Sequence, residues 1–413
     1  MIHFTKEKYS NGLTLIHHLD ETTPFVVINV LYKVGARNEF KDKTGFAHLF
    51  EHLMFEGTVN QPSYDHPIQQ AGGTNNAFTN NDFTNYYIKL PKENLELAVW
   101  LEADRMQFLD INQVSLDTQK KVVIEEFKEN YTNKPYGDIW HILRALVYEA
   151  HPYKWPTIGK DYSHIKHASL EDVVNFYNTH YQPNNAIVSI CGNVNLADAK
   201  LLGDKLLSDI KNKSTYHSDI PEEPLQTKAK VKTVHRAVPQ NCIYIVFKMP
   251  GRSDKGYYIA DVLSDILASG KSSRLKHRLE KQLPLFTEVD TYVTGTVDTG
   301  MMVFEGKLKN DITPEEGKAA LWKEINLLQS ELVNEIELEK VKNKMLTYMA
   351  FSENDLMNRA IGLCYHEMLD DASGINEEEE KYMNIKATDI QKFAKEYLNV
   401  NQSSTLFYLK ERV

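Results

Sequence analysis

Residues 44–55 read Thr44-Gly45-Phe46-Ala47-His48-Leu49-Phe50-Glu51-His52-Leu53-Met54-Phe55. His48 and His52 are four residues apart, a spacing that brings both imidazoles to one face of a helix, one turn apart. Glu51 follows His48 by three residues and directly precedes His52, so its carboxylate can reach a metal held by the pair. Two neutral imidazoles at this spacing suit zinc, and an adjacent carboxylate suits a general base. A catalytic zinc takes three protein ligands and keeps one position for water, so a third ligand must come from elsewhere. A helix predicted over roughly 115–132 offers Glu125, Glu126 and Glu129. Its apolar face includes Val123 and Phe127, and Glu126 can point inward beside that face; spacing alone does not choose among the three.

At 413 residues the chain is long enough for two or three domains with sizeable cores. Hydrophobic residues make up 42% and charged residues 25%, which is the composition of an ordinary globular protein. The net charge of −10 argues against a nucleic-acid partner, which would call for a basic face. The N-terminal residues, Met1 to Lys8, lack the basic-then-apolar plan of a signal peptide, and no run approaches the ~18 apolar residues of a membrane span. A cytoplasmic location is therefore expected, or a periplasmic one if a leader has been removed. Cys191, Cys242 and Cys364 are scattered and odd in number, and they read as reduced core residues.

Outward from the motif, Gly12-Leu13-Thr14-Leu15-Ile16-His17-His18 and Phe25 to Tyr32 read as strands. Neighbouring strand residues point to opposite faces, so His17 and His18 cannot chelate together. Residues 60–70 read as a polar connection. Asn75-Asn76-Ala77-Phe78-Thr79 leads to Phe83–Pro91, a strand with alternating aromatic and polar residues and one expected wet face. Residues 211–228 carry no periodicity and two prolines, Pro221 and Pro224, and read as an interdomain linker.

The second half repeats the first weakly. Ile243 to Lys248 followed by Gly251-Arg252 echoes Val30 to Lys33 followed by Gly35-Ala36-Arg37, and the 256–263 segment then lies over 45–52. This overlay replaces His48 by Ile259, Glu51 by Val262 and His52 by Leu263. The expected fold class is α+β, with two homologous domains, each a mixed, mainly antiparallel sheet packed with helices. Residues 1–210 would form the zinc-bearing domain and 229–413 a degenerate copy without ligands, giving one zinc per chain.

Thr44 to Thr58 closely resembles the inverzincin metallopeptidases, the pitrilysin- and insulinase-like family that includes mitochondrial processing peptidase, whose mark is H-x-x-E-H. The resemblance implies zinc held by His48, His52 and Glu126, with Glu51 as the catalytic base. A further glutamate of the family, seven residues before the last ligand, is here Gln119, able to hydrogen-bond but not to bring charge. Asn76, Ala77 and Phe78 resemble the edge strand on which these enzymes lay a substrate peptide. Many members carry an Arg and a Tyr in the second half, and here Met302 stands where the Arg would fall. The implied protein is a zinc endopeptidase for small or unfolded peptides. It would be the motif-bearing subunit of a two-subunit enzyme, whose homologous partner supplies the Arg/Tyr pair, with a homodimer as the alternative. The rival is a non-catalytic scaffold or processing subunit of the same family, but such subunits typically lose motif residues that this chain keeps.

Overall fold

The β-branched runs build two sheets in the computed structural model, which describes residues 1–215 and 219–411. The first sheet contains β1 (Thr5–Lys8), β2 (Thr14–Leu19), β3 (Phe25–Tyr32), β4 (Thr74–Thr79), β5 (Thr84–Pro91) and β6 (Ala186–Gly192), in the order β1-β2-β6-β3-β5-β4. The second contains β7 (Lys230–Arg236), β8 (Cys242–Met249), β9 (Phe286–Val293), β10 (Gly300–Leu308) and β11 (Ser403–Lys410), in the order β7-β11-β8-β10-β9. Apart from β1, which adds an antiparallel partner outside β2, the pairing scheme is the same in both. One parallel contact, β2 with β6 or β7 with β11, is followed by antiparallel pairs out to the far edge. The weak repeat in the sequence is thus a repeat of topology, and the mixed sheets with packed helices match the expected class.

Central strands such as β3 and β6 are almost wholly buried, which is why they read as apolar runs rather than alternating ones. The expected wet face of β5 is only half open: Tyr87, Lys89 and Pro91 are partly exposed on it, while Asn85 is buried. Asn85 and Asn29 exchange side-chain amide hydrogen bonds of 3.0 and 2.7 Å in the interior, and Tyr87 packs on a core cluster. That cluster joins Ile16, Val27, Leu31, Ile187 and Cys191 to Leu356, Ala360, Leu363 and Cys364 of a helix at Leu356–Leu369. Reciprocally, the Ile139–Val147 helix packs Ile142, Leu143 and Val147 on Cys242, Tyr244, Val246 and Met301 of the second sheet.

Each sheet is therefore covered by a helix from the opposite half of the sequence, and this corrects the expected domains. The division 1–210 and 229–413 is replaced by two interleaved units. One comprises Met1–Asn130, Trp155–Pro221 and Ala350–Glu377, and the other Tyr131–Lys154, Glu222–Met349 and Glu378–Val413. Contiguity along the chain does not reveal this, because apolar helix faces bury wherever a sheet face is open.

The predicted linker at 211–228 includes Tyr216, His217 and Ser218, which lie outside the described residues. It is not loose throughout. The buried Glu223 carboxylate accepts the backbone N–H groups of Glu149, Ala150 and His151 at 2.8, 3.0 and 2.8 Å and pairs with Lys248. The polar connection at 60–70 contains a short helix, Asp65–Gln70, anchored by the buried Ile68. All three cysteines are buried and free. His17 Nε2–H donates to Val194 O (2.8 Å) and His18 Nδ1–H to His3 O (2.7 Å), so both are structural. Among the described residues, no helix is long and apolar enough to cross a membrane.

Candidate metal centre

The motif helix runs from Phe46 to Leu53. Gly45 precedes it in the left-handed region (φ 89°), and a Cβ there would meet Ile158 O at 2.8 Å, so only glycine fits. Phe46, Leu49, Phe50 and Leu53 are buried, and Phe50 stacks against Phe176 and Tyr181 with ring centroids 5.3 and 5.0 Å away. With the apolar face so held, His48, Glu51 and His52 are only partly buried and lie on the other side.

A second helix, Gln113–Phe127, begins at Asn112, whose side chain accepts the N–H groups of Val114 and Ser115 at 3.0 Å. Val123 and Phe127 turn inward, as the sequence pattern indicates. This rotation brings Glu126 Oε2 to 3.7 Å from His48 Nε2 and 3.6 Å from His52 Nε2. Glu125 points away to Lys128 at 2.6 Å, and Glu129 is exposed in a π-helical turn at Lys128–Thr132. Among the described residues, His48, His52 and Glu126 are the one group of three that could hold a metal, with ligand atoms all within 4.8 Å of one another.

This donor set fits zinc. Bonds of about 2.0–2.1 Å in a tetrahedron place ligand atoms about 3.3–3.4 Å apart, a few tenths of an ångström closer than the two Glu126–histidine separations. The protonation states also suit it. Burial is the largest influence on His48 and lowers its pKa, favouring the neutral imidazole that a metal requires, although Glu126 and Glu51 pull the other way. Glu126 is held below the usual carboxylate range, first by its hydrogen bond with His52. The His48 Nδ1 atom is buried without a hydrogen-bond partner.

Gln119, two turns before Glu126, donates from Nε2 to the Glu56 carboxylate, while its Oε1 is buried without a partner. It thereby braces the segment just after the motif helix. Asn76, Ala77 and Phe78 lie on β4, the outer strand of the first sheet, which runs against the motif helix. Ala77 N–H donates to Asn76 Oδ1 (2.8 Å), so it faces away from β5, toward the open edge. The Phe78 side chain instead packs inward on Phe83, with centroids 5.7 Å apart.

One residue at this centre escapes sequence reasoning. Glu39 is 6% exposed, and its two oxygens accept Gly45 N–H and Ala47 N–H, both at 2.9 Å, closing the start of the motif helix. Burial pushes its pKa up to about 8, against those hydrogen bonds. The signal was available: a glycine at the cap has no side chain, so the first N–H groups need an acceptor from elsewhere. In the second half, Ile259, Val262 and Leu263 are buried on the helix Lys255–Ala268, and Met302 is buried in β10.

The chain is similar to known proteins along its whole length. Residues 15–159 match the model for insulinase (peptidase family M16), and residues 167–345 match that for the peptidase M16 inactive domain. The chain is 30% identical to the zinc protease PqqE of Helicobacter pylori, over 96% of this chain and 90% of that one. Its fold is similar to the crystal structure of a protease from Helicobacter pylori (TM-score 0.92, 28% identity, 99% and 100% of the two chains). A peptidase M16 inactive domain from Pseudomonas fluorescens shares the fold at 15% identity, with a TM-score of 0.88 over 100% and 99% of the two chains.

Proposed function

The chain belongs to the insulinase (peptidase M16) family, whose relatives are zinc proteases, and we propose that it is itself a zinc endopeptidase acting on small or unfolded peptides. The observation that carries this reading is the convergence of His48, His52 and Glu126 from two helices, beside Glu51. Zinc bound by these three would supply Lewis-acid chemistry and an activated water for amide hydrolysis. Glu51 takes the proton of the attacking water and returns it to the leaving amine. The open edge of β4, at Asn76, Ala77 and Phe78, receives the peptide as an added strand, through outward backbone groups such as that of Ala77. Backbone recognition of that kind accepts varied sequences, and it needs an extended, unfolded substrate. Gln119, through Glu56, steadies the far end of the motif helix.

A homologous subunit completes the site with an Arg/Tyr pair; a homodimer is the alternative, and its second copy, with the same Met302, would bring no such pair. The support for this is the buried Met302 at the position where the pair would begin. A second reading, a scaffold subunit without catalysis, draws on the inactive-domain match. That match covers 167–345 and includes none of His48, Glu51, His52 or Glu126, so it bears on the second half alone.

The deciding experiment measures zinc per chain and the cleavage of a mixed peptide library, with the chain alone and with any co-purifying partner. One zinc with cleavage in either arm is the expected result. Zinc without cleavage in both arms would support the scaffold, and a chain that takes no zinc would overturn the metal centre itself.

A further inference from the structure

We propose that Glu39 is a positioning residue, fastening the metal-ligating helix and the substrate edge to one short bracket of chain. The inference rests on the zinc reading of His48, His52 and Glu126. At one end of the bracket, the Glu39 carboxyl group holds Gly45 N–H and Ala47 N–H, the latter one residue before His48. At the other, Ala36 N–H and Arg37 N–H donate to the carbonyls of Asn80 (3.2 Å) and Asn81 (2.9 Å), in the turn that begins one residue after β4. Arg37 also pairs with Asp82 at 3.2 Å. Trp155 Nε1 donates to Ala36 O at 3.0 Å and pins the middle. The approach is close: a Cβ on Gly35 would lie 2.6 Å from both Asn80 O and Asn81 O.

Side-chain caps usually come from the residue next to the helix, where they fix only that helix. Here the acceptor comes from a separate turn that is itself tied to the β4–β5 connection. The direction of the His48 and His52 side chains is thus set relative to the strand that would carry the peptide. Without the Glu39 oxygens, two buried N–H groups at the start of an eight-residue helix lose their acceptors, and the helix is free to shift. Outer-shell groups that orient ligands in this way govern metal affinity as well as rate.

The test is Glu39→Gln, which keeps the volume but turns an amide N–H₂ toward one of the two donors. Zinc affinity is measured by competition with a chromophoric chelator, and the cobalt-substituted protein by visible absorption. The expected result is zinc affinity about 10–100-fold weaker with an altered cobalt spectrum. Affinity within about twofold of wild type and an unaltered spectrum overturn the inference, whatever happens to the melting temperature of the metal-free protein. If Glu39→Gln does not fold, Glu39→Asp, whose shorter side chain reaches one donor, is read by the same criteria. Wild-type protein that takes no zinc would overturn the metal centre and this inference together, whereas wild-type binding matched by the variant overturns the inference alone.

Discussion

On β4 the outward N–H of Ala77 donates to Asn76 Oδ1, and on β9 the outward N–H of Thr291 donates to Asp290 Oδ1, both at 2.8 Å. The register makes these positions equivalent. Tyr32 and Phe247 each face the first residue of a neighbouring strand, Ala186 and Ser403, and on their other side face Thr84 and Met302. Those two in turn face Thr79 and Val293, and Asn76 and Asp290 each stand three residues earlier. The finish differs. Asn76 is neutral and exposed and can turn aside for about 0.5–1.5 kcal/mol, the worth of one ordinary hydrogen bond. On β9 the cap is a carboxylate, and a second one, Glu280, holds Val289 N–H at 2.8 Å. Charged groups on an edge are a standard defence against strand addition. One framework, used twice, thus keeps an edge that can open beside the histidines and a closed edge beside Ile259, Val262 and Leu263.

The strongest way to break this comparison is Glu51→Gln. It should lower cleavage of a quenched-fluorescence peptide by about 10²–10⁴-fold while the zinc content, read by mass spectrometry, stays at the wild-type level. Wild-type cleavage would remove the base from the scheme. Next comes a matched pair. His52→Ala should abolish zinc binding with little change in urea unfolding. Leu263→Ala, at the equivalent position, should cost about 2–5 kcal/mol of stability and leave the zinc content alone. A smaller effect is expected at the edges. Ala77→Pro removes one outward N–H and should raise KM about 2–10-fold, whereas Thr291→Pro should leave KM unchanged. An equal rise from both would mean that the two edges do not differ in use. Least of all, Asp290→Asn should shift stability by no more than about 0.5 kcal/mol and leave peptide kinetics untouched.

The site was legible where its signals are local. The i, i+4 histidines with Glu51 depend only on helix geometry, and the structure gives that helix. The third proposed ligand, Glu126, was legible only in part. Glu125, Glu126 and Glu129 share one stretch, and the choice falls to the burial of Val123 and Phe127 and the pull of Lys128 on Glu125. Individual strands were legible from β-branched runs, though not their pairing, and the wet face expected for β5 is only half open. Asn85 looks like a surface residue in sequence, and only its partner Asn29, 56 positions away, explains its burial. The interleaving of the units was invisible for the same reason. An amphipathic helix shows that it needs a sheet face but not which one.

The cover that the Leu356–Leu369 helix places over the first sheet also orders events during synthesis. Ile16, Val27, Leu31 and Ile187 are made early, yet the helix side chains that bury them leave the ribosome some 170 residues after Ile187. At about 5–20 residues per second, that apolar face waits on the order of ten seconds or more for its lid. A nascent chain stalled near the end of the first half would already carry every proposed metal ligand, but on a sheet with one bare side. Such a chain is a natural client for a holdase chaperone, and a gene cut at the 211–228 segment would make that transient state permanent.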